Sequence, residues 1–314
     1  MSIIHLDIGG GGDSGSDDSA RVIDLRHRSA DSLQRAYDFL EGSEDVWARL
    51  RARVLCQACP AEELTEAIAA TQFEDGSLPV STLISGGAPG FPSTSFDSLE
   101  SDPRSIVGTL EGLLMAADAK QMHAAWVERA AEALAGLQAS DGAFRVPSAM
   151  DGAGNAATQA DVFWTGMVAG VLGQTPVSRP GLLEAAGEFL ESQFEPESIE
   201  QDGYSALMAN AHFFTNVAHD FGDEALQWCG RALEKGFRSR QIDAVSTVRV
   251  LLTCDAQALP GATFDVTELL EGVLAEQAGD AGFAELSLGG VAARTSQTFD
   301  AMLAIVRLCG AIVD

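Results

Sequence analysis

A turn element that recurs three times constrains the fold of this chain more than any other feature. Each copy ends an amphipathic segment with Gln, two further residues, and then Asp followed by Gly or Ala. The copies lie in TQFEDGS (71–77), LQASDGAF (137–144) and AEQAGDAGF (275–283). One copy would be an ordinary helix stop with Gly near the C-terminal end, but three copies indicate an internal repeat.

Helical periodicity dominates the rest of the sequence. Apolar residues recur at spacings of three and four, and we find no alternating strand pattern of useful length. This periodicity predicts an all-α protein. The predicted helices are 31–41, 46–58, 61–71, 104–117, 122–137, 157–172, 181–193, 204–219, 223–235, 240–254, 265–277 and 295–309.

Two kinds of helix alternate along the chain. The first member of each pair carries charges, as in WVERAAEALAGLQ (126–138), and the second is apolar and rich in small residues, as in TQADVFWTGMVAGVL (158–172). Half-polar helices should form an outer ring around the apolar ones. Six pairs predict an α/α toroid, an (α/α)6 barrel of six helical hairpins. The Gln of each turn should bind free backbone groups, and its aromatic should pack between pairs.

Composition suggests the domain organisation and argues against some partners. Residues 9–19 are Gly, Ser and Asp only, so 1–29 are predicted to be a flexible leader and 30–314 the toroid domain. A net charge of −27 argues against nucleic acid and anionic membranes as partners. No stretch is long and apolar enough for a transmembrane helix. Five cysteines, an odd number, without a secretion signal predict a cytoplasmic protein.

The elements QFEDGS, QASDGAF and QAGDAGF, each between two helices, resemble the repeats of squalene–hopene-type terpene cyclases and of protein prenyltransferase beta subunits. The resemblance covers the chain from about residue 30. It implies an α/α toroid whose central cavity takes an isoprenoid or a similarly apolar substrate. It also implies a terpene cyclase-like lyase or isomerase that works by acid-initiated chemistry, with no cofactor. Similar turns occur in some α/α-toroid polysaccharide lyases.

Two motifs of that superfamily are missing from this sequence. Protonating cyclases carry Asp-x-Asp-Asp at the start of an inner helix, and the beta subunits hold zinc with Asp-x-Cys and a later His. Neither pattern occurs here, so no metal is expected. Two further hypotheses stay open. One is a toroid that binds an apolar ligand without catalysis, and the other is a carbohydrate-active toroid with two carboxylates about 5–10 Å apart.

Three acids near the first turns of predicted inner helices are the candidate catalytic residues: Asp161, Asp243 and Asp300. Acids in this position commonly cap a helix or complement its dipole, and that role is the alternative for all three. In an apolar cavity a carboxylic acid has a raised pKa and could protonate an alkene or epoxide. Asp161 is preferred because two aromatic residues follow it.

The candidate substrate-binding residues are Trp164, His212, Phe213, Asn216, His219 and Arg240. Met208, His212, Asn216 and His219 have spacings of four, four and three, which puts them on one helical face. That face meets the cavity if the helix is an inner one and solvent if it is an outer one. The Trp164 ring could stabilise a cation, or simply pack between helices.

Two remaining features have simple alternatives. Arg240 could bind a diphosphate or carboxylate at the mouth of the toroid, although an arginine there is more often a surface ion-pair partner. Cys56 and Cys59 form a lone Cys-x-x-Cys pair. Without a second pair or a nearby His, zinc binding is not expected there, and no βαβ context supports a redox role.

Overall fold

A computed structural model describes residues 16–79, 106–146, 159–177, 179–201, 204–283 and 291–312, and no β-strand occurs within these ranges. The prediction of an all-α protein is therefore confirmed for the part of the chain that is described. Its helices are α1 Ser16–Glu41, α2 Val46–Leu55, α3 Ala61–Ala69, α4 Ile106–Asp118, α5 Ala125–Ala135, α6 Gln159–Gly173, α7 Pro180–Ser192, α8 Pro196–Gln201, α9 Ser205–Asn216, α10 Gly222–Arg238, α11 Ala244–Thr253, α12 Val266–Ala275 and α13 Val291–Ala311.

Several helix boundaries differ from the sequence-based expectation, and two elements, α1 and α8, differ most. Helix α1 begins at Ser16, inside the segment 1–29 that was expected to be a flexible leader, and it buries Leu25 and Leu33. The polar composition of residues 9–19 hid this helix start. Helix α8 has only six residues, too short a segment for helical periodicity to reveal. Among the described residues, no helix combines the length and the apolar character needed to cross a membrane.

The helices form two layers. The helices that we name core helices, α2, α4, α6, α9, α11 and α13, contact one another in the order α4, α6, α9, α11, α13, α2. The cover helices, α1, α3, α5, α7, α10 and α12, pack on them, and α1, α5, α10 and α12 each touch two core helices. Every residue of 106–116 in α4 and of 162–172 in α6 is buried, as expected for helices that are apolar all round.

Small residues let two core helices approach closely. Gly166 of α6 faces Ala209 of α9, and a Cβ atom at Gly166 would lie 2.6 Å from the Ala209 carbonyl oxygen. Any larger side chain would therefore force these two helices apart. The small-residue composition of the apolar segments thus sets the spacing within the core.

The glutamine of each repeated turn joins two cover helices. Its side-chain Nε2 donates one hydrogen bond to a carbonyl of its own turn and a second to a carbonyl of the next cover helix. The acceptors are Gly76 and Trp126 for Gln72, Gly142 and Leu182 for Gln138, and Ala281 and Ser32 for Gln277, at 2.9–3.0 Å. The expectation that the glutamine binds backbone groups is confirmed, and one of those groups belongs to the neighbouring helix.

The residue that follows each turn is tied to a core helix. Its backbone N–H donates to a threonine hydroxyl oxygen. The pairs are Leu78 with Thr109 at 2.9 Å, Phe144 with Thr165 at 2.9 Å and Phe283 with Thr298 at 3.1 Å. Phe144 and Phe283 are fully buried. Each repeat therefore fixes one turn to the next cover helix and to one core helix.

Candidate functional site

Thr109, Thr165 and Thr298 each accept a hydrogen bond from the residue that follows a turn. The residue two positions after each threonine lies on the opposite side of the same core helix. Two residues turn an α-helix by about 200°, so this side chain points away from the turn that the threonine holds. The residues concerned, which we name inward residues, are Glu111 in α4, Met167 in α6 and Asp300 in α13. Helix α11 also carries a buried threonine, Thr247, whose hydroxyl donates to the Asp243 carbonyl oxygen at 2.8 Å, and we name Arg249, two residues later, its inward residue.

Glu111, Arg249 and Asp300 join Arg51 of α2 and Asp118 of α4 in a buried group, the interior charge cluster. One oxygen of the Asp118 carboxylate accepts a hydrogen bond from Arg51 Nη2 at 3.0 Å, and the other accepts one from Arg249 Nη1 at 2.7 Å. Arg249 Nε lies 3.8 Å from Asp300 Oδ1. No side chain in these contacts is more than 13% exposed; they belong to Arg51, Asp118, Arg249 and Asp300. The cluster thus connects four core helices.

Arg51 lies in an aromatic setting within this cluster. Its guanidinium carbon is 3.8 Å from the centre of the Phe299 ring, a cation–π arrangement. Its buried Nε has no hydrogen-bond partner within the described part of the chain. Arg51 therefore keeps one donor that could serve a further acceptor.

Two carboxyls of the cluster, Glu111 and Asp300, are shifted towards their neutral forms. Burial raises the pKa of Glu111 to about 7, although the Arg51 and Arg249 guanidiniums act to lower it. Burial also raises the pKa of Asp300, against the same two arginines. A carboxyl with a pKa near neutrality suits a general acid, because it carries a proton at physiological pH and can still release it. The arrangement is chemically able to hold and deliver a proton.

Of the three predicted catalytic acids, only Asp300 belongs to the cluster. Helix α13 begins at Val291, so Asp300 is its tenth residue, and the expectation that Asp300 lies near the first turn is wrong. Asp243 is the N-cap of α11, where its carboxylate accepts hydrogen bonds from the backbone N–H of Ser246 at 2.7 Å and from its hydroxyl at 2.8 Å. This is the capping role that was the alternative for Asp243.

Asp161 lies in the first turn of α6, as predicted. Its Oδ2 is 3.6 Å from Nε of Arg145, and that arginine also binds Asp141 of the repeated turn. Asp161 therefore helps to hold the turn against the start of α6. The catalytic roles of Asp161 and Asp243 stay predictions.

Four residues were predicted to share one helical face of α9, and only three of them, Met208, His212 and Asn216, belong to that helix. Because α9 is a core helix, His212 is 1% exposed, and its Nδ1 lies 3.0 Å from the Thr253 carbonyl oxygen of α11. Burial lowers the pKa of His212 to about 4. The Asn216 amide donates to the His212 carbonyl oxygen at 2.8 Å. Met208 is also buried.

His219 lies outside that helical face, because α9 ends at Asn216. The expectation that His219 shares the helical face is therefore wrong. Its Nε2 lies 4.0 Å from a carboxylate oxygen of Glu191 on α7, and its Nδ1 accepts the backbone N–H of Phe221 at 3.2 Å. His219 thus links α7 to the start of α10.

The predicted aromatic residues pack between helices. Trp164 is 1% exposed and meets Phe163 edge to face, with ring centres 5.2 Å apart. Phe213 is fully buried against Phe214 at 5.0 Å. Arg240 is exposed just after α10, with a φ of 59°. Substrate binding by these residues, and by His212, Asn216 and His219, stays a prediction.

Within the part of the chain that the structure describes, the cysteines and the metal-ligating side chains form no second site. Cys56 and Cys59 are free thiols, and burial raises the pKa of Cys56 to about 11, so this thiol is protonated at neutral pH. Within the described ranges, no group of three or more His, Cys, Asp or Glu side chains is arranged to hold a metal ion.

Sequence reasoning missed four members of the cluster: Arg51, Glu111, Asp118 and Arg249. The signal was present in two segments, because Glu111 stands alone within IVGTLEGLLMAA (106–117) and Arg249 alone within AVSTVRVLLT (244–253). A single charge inside a buried apolar helix requires a partner from another helix. No protein-family model matches this sequence, and a search of curated proteins found no match.

Proposed function

We propose that the core helices close into a ring, giving an α/α toroid of six helical pairs. Two contacts support closure. Gln277 of the last turn binds Ser32 of α1 in the way that Gln72 and Gln138 bind the cover helices that follow them. Arg51 of α2 reaches Asp118 of α4, which links the two ends of the row of core helices.

The function that we propose is terpene cyclase-like, an acid-initiated conversion of an isoprenoid or similarly apolar substrate inside the ring. The single observation that carries it is the pair of buried carboxyls, Glu111 and Asp300, beside two arginines. The resemblance of the turns to those of terpene cyclases supplies the substrate class, and it is a likeness of fold. The free cysteines suit a reducing compartment, so we place this activity in the cytoplasm.

The proposed chemistry needs only a proton. A carboxyl O–H bond breaks, and the electron pair of a substrate double bond takes the proton to form a C–H bond. The neighbouring carbon becomes a cation, and the carboxylate that remains lies near Arg51 and Arg249. The cycle ends when the cation loses a proton to a water molecule and the carboxylate takes a proton back from the hydronium ion that results. Positioned acids of this kind contribute about 10²–10⁴-fold to a rate.

A toroid that binds an apolar ligand without catalysis is the second candidate. The observation that favours it is the deep packing of Trp164 and Phe213, which leaves neither aromatic ring accessible to stabilise a cation. In this alternative the interior charge cluster would hold the core helices together and would take no part in chemistry.

Incubation with squalene, a polyprenyl diphosphate and oligosaccharides, followed by mass spectrometry, tests the proposal. The wild-type protein should convert an isoprenoid, Asp300→Asn should lose most of that conversion, and the exposed Asp223→Asn should keep it. Bound isoprenoid without product would favour the ligand-binding toroid. Conversion of oligosaccharides alone, or neither binding nor conversion of an isoprenoid, would contradict both candidates.

A further inference from the structure

The interior charge cluster contains unequal numbers of acids and bases. Two guanidiniums, of Arg51 and Arg249, face three carboxyls, of Glu111, Asp118 and Asp300. If all five groups were ionised, one negative charge would be left without a partner in a buried site. An uncompensated buried charge is strongly unfavourable, and a carboxyl relieves it most simply by keeping its proton.

The contacts distinguish the three carboxyls. Asp118 accepts a hydrogen bond from each arginine, so both of its carboxylate oxygens have a charged donor. Asp300 lies 3.8 Å from Arg249 Nε, within ion-pair distance. Glu111 is buried, but within the described part of the chain it has no hydrogen bond and no ion pair shorter than 4 Å. Glu111 is therefore the least compensated acid of the cluster.

We infer that Glu111, rather than any of the three predicted aspartates, holds the shared proton of the interior charge cluster and is its general acid. The assignment of the proton to Glu111 concerns the protein alone, and its role as general acid rests on the proposed function. Asp300 is then a positioning residue, whose negative charge keeps the proton on Glu111.

Arg51 is placed to receive the charge that appears when Glu111 gives up its proton. Its buried Nε–H has no partner in the described ranges, and its charge acts on the Glu111 carboxyl. The newly formed carboxylate could therefore accept a hydrogen bond from Arg51 without any other bond being broken. Asp118 holds the rest of the Arg51 guanidinium in place.

A pH titration of the full-length protein with ¹³C-labelled glutamate carboxyls tests the proton assignment. Glu276 provides the matched control, because burial raises its pKa to about 7 too, yet its carboxylate accepts two backbone N–H groups, of Ala244 and Val245. Among the glutamates that the structure describes, two should titrate near neutral pH in the wild type, Glu111 and Glu276. Glu111→Gln should remove one of them, and Glu276→Gln should remove the other. Asp300→Asn should move the Glu111 midpoint to lower pH.

Each outcome of that titration bears on the inference. A Glu111→Gln variant that removes no signal near neutral pH would overturn the assignment, because Glu111 would then titrate in the ordinary acid range. If Glu111→Gln fails to fold, Glu276→Gln must leave a signal near neutral pH whose midpoint moves to lower pH when Asp300→Asn is added, and the absence of such a signal overturns the inference.

Conversion of squalene and a polyprenyl diphosphate, measured on the same samples, separates the two halves of the inference. A titrating Glu111 without conversion in the wild type would remove the proposed function and leave the proton assignment intact. Conversion by Glu111→Gln at the wild-type rate would remove the general-acid role. Loss of conversion by roughly 10²-fold or more in this variant, with wild-type folding, supports both halves.

Discussion

The two faces of the core helices differ in what they repeat. Towards the turns, Thr109, Thr165 and Thr298 stand in equivalent positions and accept the same hydrogen bond. Two residues further along, the side chains differ, from the acid Glu111 to the apolar Met167. Identical contacts on one face build a uniform frame, whereas the differing residues on the other assemble a charge cluster. The comparison indicates that the repeated threonine contacts hold the fold together, whereas the inward residues that differ between helices form the candidate site.

The largest loss of stability is expected from the substitution of an inward residue. Arg249→Met leaves Asp118 and Asp300 with one arginine fewer in a buried site, so the free energy of unfolding should fall by about 3–5 kcal/mol. Arg231→Met, at an exposed position of α10, is the control and should change the free energy of unfolding by less than about 0.5 kcal/mol. Urea unfolding measures both values. Equal effects for the two variants would contradict the burial of the cluster.

The next effect should arise at a repeated turn. Gly142 has a φ of 88°, and a Cβ there would lie 2.1 Å from the Ala185 carbonyl oxygen of α7. Gly142→Ala therefore combines an unfavourable backbone conformation with a clash, and we expect a loss of about 3–4 kcal/mol. Gly181→Ala, where a Cβ meets open space, should be neutral or stabilising by thermal unfolding. A tolerated Gly142→Ala would show that α7 does not approach the turn closely.

The pH dependence of the free energy of unfolding should reveal the raised pKa of Glu111. Its pKa rises from 4.5 to about 7 on folding, so its stabilising contribution is full below about pH 4.5 and is lost as pH rises through about 7. The stability of the wild type relative to Glu111→Gln should therefore fall by about 3 kcal/mol across that window. Urea unfolding at several pH values measures the difference. A difference that does not vary with pH would contradict the raised pKa.

A smaller effect should distinguish the glutamine of a repeated turn from Gln193, a glutamine that follows α7 outside the three repeated turns. Gln138 makes two hydrogen bonds that join α5 to α7, whereas the Gln193 side chain, among the residues that the structure describes, bonds only to the Ser192 hydroxyl oxygen beside it. Gln138→Ala should cost about 1–2 kcal/mol in thermal unfolding, and Gln193→Ala less than about 0.5 kcal/mol. Similar losses in both variants would show that the second bond of Gln138 adds little.

Much of the frame could be predicted from the sequence because its parts are local and repeated. The turn glutamines and the apolar helices can be recognised from composition and spacing. Short elements such as α8 cannot be recognised in this way. The start of α1 was missed because its first residues are polar. What makes that segment helical is the packing of Leu25 and Leu33 against the core, which only tertiary structure reveals.

The candidate site could be predicted only in part because its members come from distant segments. Arg51 and Asp118 are far apart in the sequence, and no local pattern says that they meet. Asp300 was identified for its place near a predicted helix start, but its importance in the structure comes from Arg249 beside it. Asp161 and Asp243 look alike in the sequence and are engaged at helix starts, with contacts of different kinds.

The most direct test of the contrast between the two faces compares substitutions two residues apart on α4. The measurement is the initial rate of squalene or polyprenyl diphosphate conversion by folded Thr109→Val and Glu111→Gln. Thr109→Val removes the acceptor of the buried Leu78 N–H, so it should lower stability by about 1–3 kcal/mol and keep the wild-type rate. Glu111→Gln should fold normally and lose nearly all of the rate. Retained conversion in Glu111→Gln, or its loss in folded Thr109→Val, would contradict the account.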